Sequence, residues 1–266
     1  MYPVLFHIYG PLAINSYGVA IVIGLSIFLW LANKNPLRAK LMSEDTFQKF
    51  ITYGIIVAIV GGRLLHVISE WSEYQNWFEM INILDGGFSI LGTVVALIMY
   101  TGLFLTKNKI PVLPTFDLLA QYAPIVQAFG RIGCFLAGCC YGAATTCLLG
   151  VTYTNPLTAA PLGIKIHPTQ LYSAATFFII FFILQYIKPR LVKPGQMFSI
   201  YLILSSLERF IIDFWRNDRI IDGAYGSLIN THYFSLHQWI ALSLVLVGCI
   251  SLYTCSRTKS PRHYSL

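Results

Sequence analysis

Arg131 stands inside an otherwise apolar run at 128–142, AFGRIGCFLAGCCYG. An arginine at the centre of a membrane helix costs about 2.5–3.5 kcal/mol on insertion scales, so it requires a partner. Glycines at 130, 133, 138 and 142 leave room beside it. The segment reads as the wall of a polar cavity in a membrane bundle, with Arg131 anchoring an anion. Loop and tail charges aside, the apolar segments hold Arg63, Arg131, Arg209 and Arg216 against Glu208 and Asp213. Buried charges must be paired, so the cationic excess implies an anion from outside the chain. In a bilayer the abundant anion is lipid phosphate, which the planar guanidinium binds through two parallel hydrogen bonds.

Spacing refines this. Arg209, Asp213 and Arg216 stand at i, i+4 and i+7, which on a helix is one face. Asp213 could then bridge both arginines. Arg131 and Cys134, at i and i+3, share a face in the same way. The alternative is that these are structural or snorkelling charges, which applies to Arg63 and Arg216 near segment ends. His167 opens HPTQLY at 167–172, where a helix N-terminus attracts anions. An incidental histidine beside a helix start is the other reading. Glycines at 61, 62, 86, 87 and 92 permit close helix packing or irregular backbone along a cavity. Cysteines fall at 134, 139, 140, 147, 249 and 255. None forms a C-x-x-C pair, and no metal is expected. A disulfide among Cys139, Cys140 and Cys147 stays open, while Cys249 and Cys255 read as apolar filler.

The elements that must position these residues are membrane helices. The chain has 266 residues, 56% of them hydrophobic and only 11% charged, against about 25% charged in soluble domains. Seven segments can cross a core of about 30 Å: 14–32, 47–68, 86–106, 117–138, 169–187, 196–215 and 236–255. The expected fold is an all-α polytopic protein, one transmembrane domain over 1–255 with a basic tail at 256–266. The net charge of +7 is spread over short loops, which argues against nucleic acid. Lys34, Arg38, Lys40, Lys107, Lys109, Lys188, Arg190, Lys193 and Arg257 fall on one side, and only Lys165 and Arg219 on the other. The first side is cytoplasmic by the positive-inside rule, with the N-terminus outside. The first residues lack the basic n-region of a cleavable signal, so the first apolar segment is expected to stay.

GGR at 61–63, DGGFSILG at 85–92, GRIGCFLAGCCYG at 130–142, HPTQLY at 167–172, ERFIIDFWR at 208–216 and SLHQ at 235–238 occur in order. Together they resemble the prolipoprotein diacylglyceryl transferase family over nearly the whole chain. The resemblance implies a bacterial inner-membrane enzyme without a cofactor. It would move the diacylglyceryl group of phosphatidylglycerol to the lipobox cysteine of a prolipoprotein and release glycerol phosphate. It gives Arg131 and Arg209 as essential arginines, Asp213 where the family usually has Glu, and Tyr17 as the tyrosine of the first span. Arg216, Gly142 and His167 match as phosphatidylglycerol contacts. Two departures stand out. Leu91 replaces a histidine proposed as thiol base, and Cys134 and the run Ala-Gly-Cys-Cys at 137–140 replace Asn and an Asn-Gly-Glu run. With Leu91 unable to take a proton, His66, at i+3 from Arg63, is the candidate base against a reading as an interface-lining histidine. The competing functions are a membrane thiol oxidoreductase built on Cys134, Cys139, Cys140 and Cys147, and a lipid-binding relative without catalysis.

Overall fold

A computed structural model describes residues 2–9, 12–71, 74, 76–81, 87–217 and 234–257. The chain is mostly helical. Four helices are long and apolar enough to cross a membrane: Ser16–Lys34, Glu44–Ser69, Thr169–Arg190 and Leu236–Arg257, with a shorter apolar helix at Leu91–Lys107. Large apolar side chains on them face outward, such as Leu103 at 68% and Phe182 at 66% exposure. A water-soluble monomer rarely shows apolar surface on that scale. The remaining two expected spans are helical as well. One carries Asp117, Gln121, Gln127 and Arg131 along its length, and the other is only 17 residues long.

Contacts gather into two compact units: 1–34 with 116–266, and 35–115. In the first unit, strands β1 (Val4–Tyr9) and β2 (Leu12–Asn15) pair antiparallel ahead of α1 (Ser16–Lys34). The second unit contains α2 (Pro36–Leu41), α3 (Glu44–Ser69), α4 (Trp77–Ile81) and α5 (Ile90–Lys107). Helix α6 (Val112–Ala137) belongs to the first unit from residue 116 on. Strands β3 (Val151–Thr152) and β4 (Lys165–Ile166) follow, then α7 (Thr169–Ile187), α8 (Gln196–Ile212) and α9 (Leu236–Arg257). The two small sheets correct the all-α expectation.

Local chemistry sets the helix starts. Ser43 accepts from the Thr46 amide at 3.2 Å and begins α3; Ser89 accepts from Gly92 at 3.3 Å and begins α5. Each satisfies one of the orphan amides of a first turn. The third span thus starts four residues later than expected; Asp85 and Gly86 lie outside the described residues. Helices α3 and α5 pack through Gly61, Gly62 and Gly92. A Cβ on Gly92 would collide with the Gly61 carbonyl, and one on Gly61 with Ala96. This is the small-residue packing expected of membrane helices.

In the first unit, Gly133 of α6 lies against the Tyr17 backbone of α1, with 3.1 Å left for a Cβ. Gln121 donates to Gln185 of α7 at 2.9 Å, and Tyr201 of α8 donates to Gln127 at 3.0 Å. Asp117, fully buried, accepts from the backbone amides of Gly195 at 2.6 Å and Phe198 at 2.8 Å. It caps α8 from a distant helix, because Gly195 has no side chain to do so. The segment 138–168 is ordered around Tyr153, Ala160 and Ile166. Burial pushes the Tyr153 phenol up to about 12, and its hydroxyl donates to the Phe135 carbonyl at 2.9 Å.

Candidate functional site

A cavity of about 300 Å³ opens in the first unit between α6, α7, α8 and α9. Gln127, Arg131, Ser205, Glu208, Arg209 and His237 give it its polar lining. Gln127 and Arg131 reach it together because they are one helical turn apart on α6. Among the described residues, Arg131 makes no hydrogen bond and no ion pair. Glu208 feels the charges of Arg131, Arg209 and Arg216, but its carboxylate is held by the Ser173 hydroxyl. Two carboxylates, Glu208 and Asp213, therefore face three guanidinium groups in this region.

Arg209 is held in place. Its Nη2 lies 3.4 Å from Asp213 Oδ1, and Asp213 is 1% exposed. Asp213 also accepts from the Ser235 hydroxyl. Ser235 is the cap of α9: its Oγ accepts from the Gln238 amide at 3.2 Å, and Gln238 Oε1 accepts from the Ser235 amide at 2.9 Å. The SLHQ motif is thus a reciprocal capping box. One cap orders the start of α9 and steadies the carboxylate that positions Arg209.

Arg216 does not continue the face of Arg209 and Asp213, which corrects the i+7 reading. Helix α8 ends at Ile212 and a 3₁₀ turn covers Asp213–Trp215. Arg216 is extended, at φ −77° and ψ 145°, and bridges Gly142 in antiparallel fashion. Gly142 also donates to the His167 carbonyl at 2.9 Å. A Cβ there would stand 2.6 Å from both His167 and the Trp215 carbonyl, so only glycine fits between them. Gly142, His167 and Arg216 thus meet at one junction of three segments. The His167 imidazole Nδ1 lies 3.3 Å from the Tyr172 hydroxyl.

Beside this junction, the sulfurs of Cys134, Cys139 and Cys140 all lie within 4.8 Å of one another. All three thiols are free. Hydrogen bonds from Cys134 and Cys139, followed by the Arg216 guanidinium, hold the Cys140 thiol below its ordinary range. Thr169 donates to the Cys140 carbonyl at 2.9 Å and Gln170 to the Cys139 carbonyl at 2.8 Å. The HPTQ segment therefore clamps the backbone of the cysteine pair. Tyr17, 44% exposed, lies close enough to feel these thiols and Arg131.

The other sequence candidates fall in the second unit. Arg63 is 8% exposed and saturated by backbone: Nε donates to the Met80 carbonyl at 3.0 Å, Nη1 to Gly87 at 3.0 Å and Nη2 to Glu79 at 2.6 Å. Its donors tie α4 and Gly87 to α3. His66 packs edge-on against Tyr74 at 6.4 Å, and a Cβ on Gly87 would sit 2.5 Å from its Nε2. Leu91 is 66% exposed in the first turn of α5. Asp117, Ser173 and Ser235 were not among the sequence candidates. For Ser235 the S-x-x-Q pattern was an available signal; for the other two, partners 35 or more residues away hid it.

Fold and site together define a helical membrane protein with a cationic, headgroup-sized cavity beside a cluster of thiols. A family model described as prolipoprotein diacylglyceryl transferase matches residues 3–254. The chain belongs to the prolipoprotein diacylglyceryl transferase family. It is 35% identical over 248 residues to the phosphatidylglycerol–prolipoprotein diacylglyceryl transferase of Clostridium tetani, covering 93% of this chain and 95% of the relative. It is 33% identical to a second enzyme of that name from Clostridium perfringens, with 96% of each chain covered. A relative of that name from Finegoldia magna is 30% identical, with 93% of each covered.

Proposed function

We infer that this chain transfers the diacylglyceryl group of phosphatidylglycerol to the lipobox cysteine thiol of prolipoproteins. The observation that carries the reading is the Arg131 guanidinium, which borders the cavity with no hydrogen bond or ion pair among the described residues, while Arg209 is held beside the same cavity by Asp213. An anionic headgroup supplies the missing charge. The names of the relatives supply the substrates.

Sulfur attacks a glycerol carbon, the carbon–oxygen bond to phosphate breaks, and the electron pair leaves on glycerol phosphate. Arg131 and Arg209 stabilise the charge that grows on the departing phosphate, with Arg216, Gly142 and His167 shaping the phosphatidylglycerol contact. Tyr17 orients the reacting groups. A free thiol has a pKa of about 8.5, so its proton must be accepted at neutral pH. The reading assigns that role to His66, whose neutral imidazole carries a nitrogen able to accept a proton. Its test is transfer by His66→Ala: a loss of about 10²–10⁴ in rate is expected of a general base, and unchanged transfer removes His66 from the mechanism.

The reading includes seven spans across the bacterial inner membrane, with the N-terminus outside, residues 1–255 acting as one transmembrane domain and 256–266 as a cytoplasmic basic tail. Residues 258–266 lie outside the described residues. The deciding experiment is an assay of purified protein with phosphatidylglycerol vesicles and a lipobox peptide. Wild type should form the thioether lipid-peptide and Arg131→Ala should not. Wild type without product overturns the proposal.

A further inference from the structure

We propose that Cys134, Cys139 and Cys140 form a three-sulfur binding site for one soft divalent cation of the zinc and cadmium class. Zinc–sulfur bonds of about 2.3 Å place tetrahedral sulfurs about 3.8 Å apart. The three sulfurs already lie within 4.8 Å of one another, so closure requires movements of about 1 Å or less.

The site is built by three elements of the first unit. Cys134 comes from the last turn of α6, and its carbonyl accepts from both the Gly138 and Cys139 amides, at 2.9 and 3.1 Å. The chain turns back through Gly138 at φ +79° and Cys140 at φ +59°. The second is a left-handed conformation that a residue with a Cβ rarely adopts. It aims the Cys140 sulfur back at Cys134 rather than away. Thr169 and Gln170, both 1% exposed, fix the carbonyls of the pair from α7. These outer partners are the kind of support that holds metal ligands in place.

Charge and access fit a cation. Three thiolates and a divalent ion sum to one negative charge, and Arg216, which bridges Gly142 two residues after Cys140, carries the opposite sign. Cys134 is buried while Cys139 and Cys140 are half-buried, which gives the ion a way in and a fourth position for water. Sequence spacing concealed the site, since adjacent cysteines are not a usual ligand pair; the left-handed turn is what makes them converge with Cys134.

The test uses reduced, full-length protein in detergent, titrated with Cd²⁺. One equivalent per chain should raise the ultraviolet thiolate-to-cadmium absorption band. In the same molecules Cd²⁺ should block maleimide labelling of Cys139 and Cys140 while the exposed Cys147 and Cys249 stay labelled. Cys140→Ser should weaken Cd²⁺ by more than the about 10–100-fold typical of an outer-shell change; Cys147→Ser should not. Zn²⁺ loaded first should raise the Cd²⁺ concentration needed to reach the full band. Absence of the band, or protection of Cys147 equal to that of Cys139 and Cys140, overturns the proposal without reference to any variant's folding or to transfer activity.

Discussion

Arg63 and Arg131 look alike in sequence. Each is an arginine in a glycine-bearing apolar helix, GGR in one unit and GRIG in the other. In the structure each lines a cavity, but their donors go to different places. Arg63 spends its donors on three backbone carbonyls and is buried. Arg131 has no hydrogen-bonding partner among the described residues and borders a cavity. The contrast teaches that an arginine in a membrane helix is assigned by what its donors reach. One guanidinium is spent on the fold, and the other lines a cavity with its donors unspent among the described residues.

The sharpest way to break this comparison is to truncate both arginines. Arg131→Ala should cost about 10²–10³ in transfer rate while its thermal unfolding in detergent stays near wild type. Arg63→Ala should do the reverse. It leaves three carbonyls without donors, each worth about 1–3 kcal/mol when buried, so it should unfold at markedly lower temperature while folded molecules still transfer. If Arg63→Ala abolishes transfer in fully folded protein, the division between the two arginines is wrong. Asp117 sharpens it within the first unit. Asp117→Ala should cost about 0.5–2 kcal/mol of stability through the lost α8 cap, and Asp117→Asn should retain most of it; chemical unfolding of the two variants decides. The smallest effect concerns Tyr153. Its folded phenol titrates at about 12 against an ordinary value of 10.0. The unfolded chain loses that proton first, so stability is intact below about 10 and falls as pH rises toward 12. Tyr153→Phe should flatten this alkaline loss in unfolding measured across that range.

How much of this could be read from the residues differs by kind. Arg209 and Asp213 were legible because a helix turn joins them, and Arg131 because its charge stands out in an apolar run. The packing of Gly61, Gly62 and Gly92 was legible from residue type, since small residues mark close helix contacts. The fate of Arg63 was not, because its three carbonyls belong to α4 and Gly87, 16 to 24 residues away, and no periodicity announces the pairing. Arg216 was misplaced because a helical spacing was carried past residue 212, where the hydrogen-bond pattern tightens and the chain turns extended. The thiols of Cys134, Cys139 and Cys140 were grouped only as a redox alternative with Cys147, because the convergence of these three depends on a left-handed residue that is not glycine.

The remote cap on α8 has a consequence for how the chain is made. Asp117 and Gly195 are 78 positions apart. At about 5–20 residues per second, a ribosome needs about 4–16 s to cover that distance. During synthesis α6 therefore exists for that time with a carboxylate whose backbone donors have not yet been made. The final packing of α6 waits on α8, so the two helices settle together rather than in the order of the chain.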